Sequence, residues 1–140
     1  MTIEFPTLFD KCLYVATQAH RGQKRKHSDQ DYICHPVRVA EKFIEERTRC
    51  IAVLHDVLED TPLTTKTLQE NDIPSDVIDA VVVLTKSKGQ SYLDYLKRVD
   101  AHPIARLVKQ EDIRDNMSDL EPCNLRDKYE LALNFLGVKP

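Results

Sequence analysis

Apolar residues recur along most of the chain at steps of three and four positions, which is the period of an amphipathic helix. The first of these stretches predicts a helix over about residues 7–20, which Gly22 then ends. Residues 22–34 are polar and have no period, so they are interpreted as a loop. A second helix is predicted to open at His35-Pro36, with Pro36 in its first position, and to run to about residue 44.

The most apolar segment of the chain is residues 50–60, which follow a predicted break around Arg47 and Thr48. Because this segment is apolar nearly all round, it predicts a helix that is buried on most sides. The helix is expected to stop at Thr61-Pro62, since the position before a proline disfavours helix. Five further helices are predicted over about residues 65–70, 75–84, 92–99, 104–120 and 125–136.

Several of these later helices carry recognisable start signals. Thr64 or Thr65 is expected to cap the first of them, and Ser75 and Ser91 the next two. Three consecutive valines at residues 81–83 would favour a strand when taken alone, but the apolar spacing around them favours a helix. The chain is therefore predicted to be an all-α protein, a compact bundle of about eight helices that are not parallel.

Composition places the chain among soluble single-domain proteins. Its 140 residues are about the length of one domain, so residues 1–140 are expected to form a single domain. No stretch approaches the roughly 18 apolar residues of a membrane helix, and the N-terminus lacks the pattern of a secretory signal. Four cysteines without a CxxC pair indicate reduced thiols and a cytoplasmic protein: Cys12, Cys34, Cys50 and Cys123.

Four ionisable residues interrupt the most apolar predicted helix: His55, Asp56, Glu59 and Asp60. Burial of such groups is costly unless they are paired or bind a metal. On a continuous helix His55 and Glu59 share a face, as do Asp56 and Asp60, so all four would project over one broad arc. A solvated polar edge is the alternative interpretation, but an acidic pair one turn after a His-Asp pair favours a divalent metal site.

One helix supplies only two ligands well, so further ligands are expected from elsewhere in the chain. His35 is one candidate, because the residue before a proline is held extended and can aim its side chain out of a helix start. Asp112 is the other, on the long late helix, where Asn116 shares its face four positions on. Imidazole and carboxylate together are typical of sites for manganese, iron, zinc or magnesium.

The net charge of −3 argues against a protein that binds polyanions through bulk charge, and DNA binding is disfavoured. Yet four of the 20 basic residues fall between His20 and His27: Arg21, Lys24, Arg25 and Lys26. Their place between the first helix and His35 favours a clamp for a polyphosphate. An ordinary solvated loop is the alternative.

Four segments resemble the hydrolase domain of the RelA/SpoT-type (p)ppGpp enzymes, which are HD-domain metal-dependent phosphohydrolases. These segments are AHRGQKRKHSDQDYICHPVRVA, LHDVLEDT, VVVLTKSKGQSYLDYLKRV and VKQEDIRDN. His-Asp alone is a two-letter match, whereas AH-x-GQ, Y-x-x-HP, LHDVxEDT and Asp-x3-Asn in this order are highly specific. The resemblance covers about residues 8–135, which is nearly the whole chain.

This resemblance implies an HD-domain helical bundle that binds one divalent metal, usually manganese. It assigns four metal ligands: His35, His55, Asp56 and Asp112. The implied activity is hydrolysis of guanosine 3′,5′-bis(diphosphate) (ppGpp) or of pppGpp, with release of pyrophosphate from the 3′ position.

The same resemblance assigns roles around the metal. Glu59 and Asp60 match the acidic pair that positions and activates water. Arg25 and Lys26 match the basic pair that contacts the nucleotide. Asn116 matches a position that contacts substrate.

Two features depart from the family pattern. The spacing from His35 to His55 is only 20 positions, which is short for the full-length enzymes, and Gln110-Glu111 replaces the usual small apolar pair before Asp112. A small stand-alone hydrolase domain is therefore expected, with a nucleotide as its partner and with no nucleic acid or membrane partner. A homo-oligomer stays open, as do two alternative functions: hydrolysis of another nucleotide and non-catalytic nucleotide sensing.

Overall fold

Helices make up nearly all the regular structure of the chain. The computed structural model describes residues 4–26, 28–118 and 124–137. Those ranges contain no β-strand, only an isolated β-bridge between Lys24 and Asp31, which confirms the all-α class. They contain nine helices: α1 (Leu8–Ala19), α2 (Cys34–Ala40), α3 (Glu46–Leu54), α4 (Val57–Asp60), α5 (Thr65–Glu70), α6 (Ser75–Val83), α7 (Tyr92–Asp100), α8 (Pro103–Ser118) and α9 (Asn124–Phe135).

Several helix ends agree with the signals in the sequence. At the start of α5, Thr64 Oγ1 accepts a hydrogen bond from the Thr67 amide at 3.4 Å. At the start of α7, Ser91 Oγ accepts one from the Asp94 amide at 3.1 Å. Each bond satisfies an amide that has no partner within its own helix. Beyond α1, Gly22 has a φ of 81°, a left-handed conformation that glycine adopts without steric cost.

The segment 50–60, predicted as one helix, forms parts of two. α3 ends at Leu54 and α4 begins only at Val57. The Ala52 carbonyl accepts hydrogen bonds from both the backbone amide of His55 at 3.3 Å and its Nδ1 at 2.6 Å. A side chain that takes a carbonyl in this way interrupts the regular ladder of helix hydrogen bonds. The prediction of one continuous arc is therefore wrong, because His55 and Asp56 lie in the break.

The starts of α2 and α6 differ from the predicted ones. α2 begins at Cys34, so Pro36 is its third residue rather than its first. Proline is tolerated there because the first four amides of a helix have no intrahelical partner. Ser75 is the first residue of α6, and Pro74 stands at the cap position. The predicted end of α8 at residue 120 lies outside the described residues.

The break expected around Arg47 and Thr48 lies earlier in the chain, at residues 41–45, since α2 ends at Ala40 and α3 already begins at Glu46. The carboxylate of Glu45 accepts hydrogen bonds from the amides of Arg47 at 3.0 Å and Thr48 at 2.7 Å. This acidic N-cap satisfies two of the helix's first amides and allows the helix to start earlier.

α3 lies at the centre of the fold, where it packs against α1, α2, α6 and α8. Its residues 50–54 are between 0% and 2% exposed, as the continuous apolar pattern predicts. α2 and α8 also pack against each other. The beginning of α2, the end of α3 and the middle of α8 therefore meet at one place in the core.

The cysteines that the structure describes are not paired. Cys12, Cys34 and Cys50 are free thiols, and the first and last of them are buried. Cys123 lies outside the described residues. In the described ranges, no helix has the length and apolar character that crossing a membrane requires.

Truncation of a core side chain on α3 tests this architecture. Leu54 is 0% exposed, so Leu54→Ala should lower the free energy of unfolding by about 2–5 kcal/mol, because it removes apolar contacts and leaves a cavity. Leu131 is 70% exposed, and Leu131→Ala should change the same quantity by less than about 0.5 kcal/mol. Urea unfolding followed by circular dichroism measures both. Equal losses would contradict the central position of α3.

Candidate metal centre and active site

The four predicted metal ligands meet at the end of α3: His35, His55, Asp56 and Asp112. One nitrogen or oxygen atom from each side chain lies within 4.8 Å of the corresponding atom of every other. Asp112 Oδ1 is 2.9 Å from His35 Nε2 and 3.3 Å from His55 Nε2. Asp56 Oδ2 is 3.0 Å from His55 Nε2 and 3.6 Å from His35 Nε2. The structure thus gathers the whole set from α2, the α3–α4 break and α8.

Both imidazoles present the nitrogen that a metal ion needs. His55 Nδ1 must carry its proton, because its partner at 2.6 Å is the Ala52 carbonyl oxygen, which only accepts. His55 Nε2 is buried and lies 3.0 Å from Asp56 Oδ2 and 3.3 Å from Asp112 Oδ1, but it makes no hydrogen bond of good geometry to either. A buried nitrogen without a well-formed hydrogen bond is costly in a protein interior unless something binds it. The donor set therefore fits a divalent cation.

Asp115 orients the second imidazole, and sequence reasoning missed it. Its Oδ2 accepts a hydrogen bond from His35 Nδ1 at 2.6 Å, which leaves His35 Nε2 directed at Asp112. A metal-binding histidine commonly donates its other ring N–H to a carboxylate in this way. The signal in the sequence was the spacing: Asp115 follows Asp112 by three positions on α8 and so shares its face.

Electrostatics keeps the carboxylates of the cluster ionised. Burial raises the pKa of Asp56, but the His55 imidazole outweighs this effect and holds that pKa at about 2. Burial likewise raises the pKa of Asp112, yet Lys109 and His55 hold it well below its ordinary value. Burial lowers the pKa of His35 and of His55, while the carboxylates around them raise both above the ordinary value. The cluster therefore attracts positive charge.

Asp112 is fixed by two further contacts. Its Oδ2 accepts a hydrogen bond from Lys109 Nζ at 2.8 Å. Its Oδ1 accepts one from Asn116 Nδ2 at 3.1 Å, one helical turn further along α8. Asn116 Oδ1 in turn accepts a hydrogen bond from Arg25 Nη1 at 3.2 Å. Asn116 therefore connects the ligand cluster to the basic loop, which places two predicted substrate contacts in direct contact with each other.

The predicted acidic pair lies beside the cluster, on the solvent side. Glu59 Oε1 accepts a hydrogen bond from the Lys86 amide at 2.8 Å. The Tyr32 hydroxyl lies 2.6 Å from Asp56 Oδ2 and 3.2 Å from Asp60 Oδ2, so it connects a candidate ligand to the acidic pair. The protein displaces part of the water around Glu59 and Asp60, which raises the pKa of both, and Asp56 adds to the rise. Both acids are thus shifted toward accepting a proton.

A cavity of about 440 Å³ opens above the cluster and carries charges of both signs on its wall. Its acidic members are Asp56, Glu59, Asp60 and Asp112. Its basic members are Lys24, Arg25, Lys26, Lys86, Lys109 and Lys128. A metal ion would complement the acidic side chains, and a polyphosphate would complement the basic ones.

The cation loop, residues 21–33 between α1 and α2, contributes unequally to this cavity. Arg25 and Lys26 reach the cavity wall as predicted, and the Arg25 side chain is only 9% exposed. Lys24 also reaches the wall but pairs with Asp31. Arg21 is exposed and does not line the cavity, so the structure does not support its expected part in the clamp. His27 lies outside the described residues.

Sequence reasoning also missed an aromatic part of the cavity wall. Tyr92, Tyr95 and Tyr129 line it, and Lys128 Nζ lies 4.0 Å from the centroid of the Tyr92 ring. The available signal was the spacing of Tyr92 and Tyr95, which are three positions apart and therefore share one face of α7. Tyr129 comes from α9, and no local pattern connects it to the rest.

Comparison with known proteins gives relatives that are named as (p)ppGpp hydrolases and others that are named as GTP pyrophosphokinases. No protein-family model matches the chain. The chain is 40% identical over 80 residues to guanosine-3′,5′-bis(diphosphate) 3′-pyrophosphohydrolase of Haemophilus influenzae, a match that covers 53% of the chain and 12% of the relative. It is 31% identical over 134 residues to the protein of the same name from Aquifex aeolicus, which covers 88% of the chain and 19% of the relative.

A third curated relative is the bifunctional (p)ppGpp synthase/hydrolase SpoT of Escherichia coli, 39% identical over 80 residues. That match covers 53% of the chain and 11% of the relative. The chain thus spans between 11% and 19% of the length of these three relatives.

A solved structure extends the likeness to the whole fold. It is that of a metazoan SpoT ortholog that hydrolyzes ppGpp, and it superposes with a TM-score of 0.77 at 25% sequence identity. The match covers 96% of this chain and 86% of that one. The fold and the His/Asp cluster of the chain fit an HD-type hydrolase domain. More particularly, the chain is a homologue of the SpoT/RelA (p)ppGpp hydrolases, as the resemblance in its sequence implied.

Binding of a divalent ion to the cluster should stabilise the fold. At about 100 times its dissociation constant, Mn²⁺ is expected to add about 2.7 kcal/mol to the free energy of unfolding. Asp56→Ala should abolish this gain, because it removes one of the four ligand side chains. Asp79→Ala, on the exposed face of α6, is the matched control and should keep it. Denaturant unfolding with and without MnCl₂ measures the effect, and an equal gain in both variants would contradict the site.

Proposed function

We propose that the chain is a single metal-dependent hydrolase domain that removes the 3′ pyrophosphate from ppGpp or pppGpp. The observation that carries the proposal is the combination of a four-ligand cluster, an acidic pair and a set of cations around one cavity. The names of the curated relatives and the activity of the structural neighbour support the same reaction. The substrate is then a nucleotide, and neither nucleic acid nor a membrane is needed as a partner.

In this proposal the metal ion is held by His35, His55, Asp56 and Asp112. When bound, it would polarise a phosphoryl oxygen and lower the pKa of a water molecule. Imidazole and carboxylate ligands together are compatible with Mn²⁺, which we propose as the native ion. His55 Nε2, which is buried beside two carboxylates without a well-formed hydrogen bond, is the feature that supports a resident ion most directly.

The acidic pair supplies the base. Glu59 is anchored at Oε1 by the Lys86 amide, so its carboxylate has a fixed direction relative to the cavity. Asp60 is oriented by the Tyr32 hydroxyl. With the pKa of both raised by the loss of hydration, either carboxylate is a better proton acceptor than a solvated one. Glu59 and Asp60 thus orient the attacking water and take its proton.

The cations bind the two diphosphate groups. Phosphoryl transfer depends on positioning and charge neutralisation more than on covalent chemistry. Arg25 is held against Asn116, so its planar guanidinium offers the cavity a pre-oriented set of donors. Lys26, Lys86 and Lys128 add positive charge along the wall. Arg25, Lys26 and Asn116 are the proposed substrate contacts.

Free thiols are typical of proteins in the reducing cytoplasm, and a nucleotide substrate is compatible with the same compartment. We therefore place the protein there. The aromatic wall does not select guanine by itself, because every base offers a face for stacking. Hydrolysis of another nucleotide is therefore the alternative that the experiment must separate.

The test is a nucleotide panel. The Mn²⁺-loaded protein is incubated with ppGpp, pppGpp, GTP, ATP and a simple phosphate ester, and pyrophosphate and phosphate are measured separately. We expect pyrophosphate from ppGpp and pppGpp. Glu59→Gln should lower kcat by about 100-fold or more while metal content stays equal, since it removes a proton acceptor. Glu70→Gln, an exposed acid on α5, is the control and should leave kcat unchanged.

Other outcomes decide between the alternatives. Turnover of other nucleotides in preference to ppGpp would favour a different phosphohydrolase. No turnover across the panel, with ppGpp still bound, would favour a sensing module. Unchanged turnover in Glu59→Gln would contradict the assigned base.

Arg25 and Arg21 form a matched pair for the phosphate clamp. Arg25→Ala should raise KM for ppGpp by about 10-fold or more, as expected for loss of a charged hydrogen bond, and should affect a simple phosphate ester much less. Arg21→Ala, in the same loop but away from the cavity wall, should leave KM unchanged. Steady-state kinetics on both substrates measures this. Equal effects of Arg25→Ala on the two substrates would contradict the clamp.

A further inference from the structure

We infer that Arg38 is a positioning residue that holds the cation loop and the His35 ligand in one arrangement. Its role in substrate binding rests on the proposed function, whereas its role at the ligand cluster does not. Arg38 lies on α2, one turn after His35, and it does not line the cavity. It would therefore act through other side chains and not by touching substrate.

Arg38 makes two sets of contacts, which we call its two arms, and the first of them leads to the ligand cluster. Arg38 Nε donates to Asp115 Oδ1 at 2.7 Å, and Arg38 Nη2 donates to Asp115 Oδ2 at 3.0 Å. Two parallel bonds of this kind fix a carboxylate in direction as well as in distance. The same Asp115 Oδ2 accepts the hydrogen bond from His35 Nδ1 at 2.6 Å. By fixing Asp115, Arg38 sets the rotation of the His35 ring and the direction of its Nε2.

The second set of Arg38 contacts, the loop arm, leads to the cation loop. Arg38 Nη1 donates to Gln30 Oε1 at 2.7 Å. The backbone carbonyl of Gln30 accepts a hydrogen bond from the Arg25 amide at 2.9 Å. Arg38 therefore holds the residue that pairs with the backbone of Arg25, the cation placed on the cavity wall.

The two arms meet again at α8. The Arg25 guanidinium bonds Asn116 at 3.2 Å and lies 3.8 Å from Asp115 Oδ2. Asp115 is thus approached by the His35 imidazole and by two guanidinium groups, and it is only 13% exposed. These surroundings hold the pKa of Asp115 well below its usual range despite burial. A displacement of Asp115 would change the ligand cluster and the loop together.

Only arginine can serve both arms at once. Its guanidinium offers donors in a rigid fork, which here points two at Asp115 and one at Gln30. A lysine has a single nitrogen on a flexible stem, so it can keep the ion pair with Asp115 but not the fork and the Gln30 bond together. Arg38→Lys should therefore separate the two arms.

The experiment compares Arg38→Gln, Arg38→Lys and Gln30→Ala by Mn²⁺ equilibrium dialysis and by steady-state kinetics. Arg38→Gln should weaken Mn²⁺ binding by about 10-fold, the lower end for partners of metal ligands. It should also raise KM for ppGpp by about 3- to 10-fold, as for loss of one hydrogen bond, with a smaller change in kcat. Arg38→Lys should recover much of the Mn²⁺ affinity but not KM. Gln30→Ala should raise KM and leave Mn²⁺ affinity unchanged.

The matched control is Arg47→Gln, which removes the exposed ion pair between Arg47 and Asp76 at 2.7 Å. It should leave Mn²⁺ affinity and KM unchanged. If Arg38→Gln lowers thermal stability but leaves Mn²⁺ affinity and KM as in this control, Arg38 is an ordinary structural residue and the inference is contradicted.

A readout without substrate keeps the inference separate from the proposed function. The cation loop contains several trypsin sites, so limited proteolysis reports how firmly it is held. Arg38→Gln and Gln30→Ala should both speed cleavage within residues 21–26, and Arg47→Gln should not. If ppGpp is not a substrate while these rates and the Mn²⁺ affinities change as expected, the proposed function fails and the inference stands. Unchanged cleavage in both loop variants would overturn the loop arm.

Discussion

The hydrogen bond from His55 Nδ1 to the Ala52 carbonyl is the interaction on which the candidate site depends. It ends α3 inside the core and produces the break that separates His55 and Asp56 from both helices. It also fixes the proton on Nδ1, so that Nε2 lies buried beside two carboxylates without a well-formed hydrogen bond to either. On an uninterrupted helix the ionisable residues would share one outer face. The break instead sends His55 inward, to 2% exposure, while Asp56 stays on the cavity wall.

Charges of both signs lie around one cavity, which explains how a chain with a net charge of −3 could bind the polyanion that we propose as its substrate. The carboxylates of Asp56 and Asp112 lie next to the two histidines, where their lowered pKa values keep them ionised and they attract a cation. The basic residues come from several elements: the cation loop, α8, α9 and the segment after α6. A metal ion and a polyphosphate together would balance the site, which is why the average charge is a poor guide to the ligand.

Much of the fold and the grouping of the ligands could be predicted from the sequence. The helices follow from apolar spacing and caps such as Ser91. His55 and Asp56 stand out because ionisable groups in an apolar helix need a reason, whereas His35 and Asp112 were candidates that the family resemblance assigned to the same set. The break at His55 could not be predicted, since it depends on a side chain reaching a carbonyl within the packed core. Asp115 and Arg38 were missed for a similar reason. Their partners are far away in sequence, and only the packing of α2 against α8 makes them a pair.

We expect one divalent ion to occupy the cluster at the break between α3 and α4. The most direct measurement is crystallography of the protein with MnCl₂, with anomalous diffraction data recorded at the manganese absorption edge. We expect a single strong peak from an ion that His35 Nε2, His55 Nε2, Asp56 and Asp112 coordinate. The hydrogen bonds of His35 Nδ1 and His55 Nδ1 should both be retained. A peak found only among Asp56, Glu59 and Asp60, the other acidic group that lies close together, would contradict this expectation. So would the absence of any peak at the cluster.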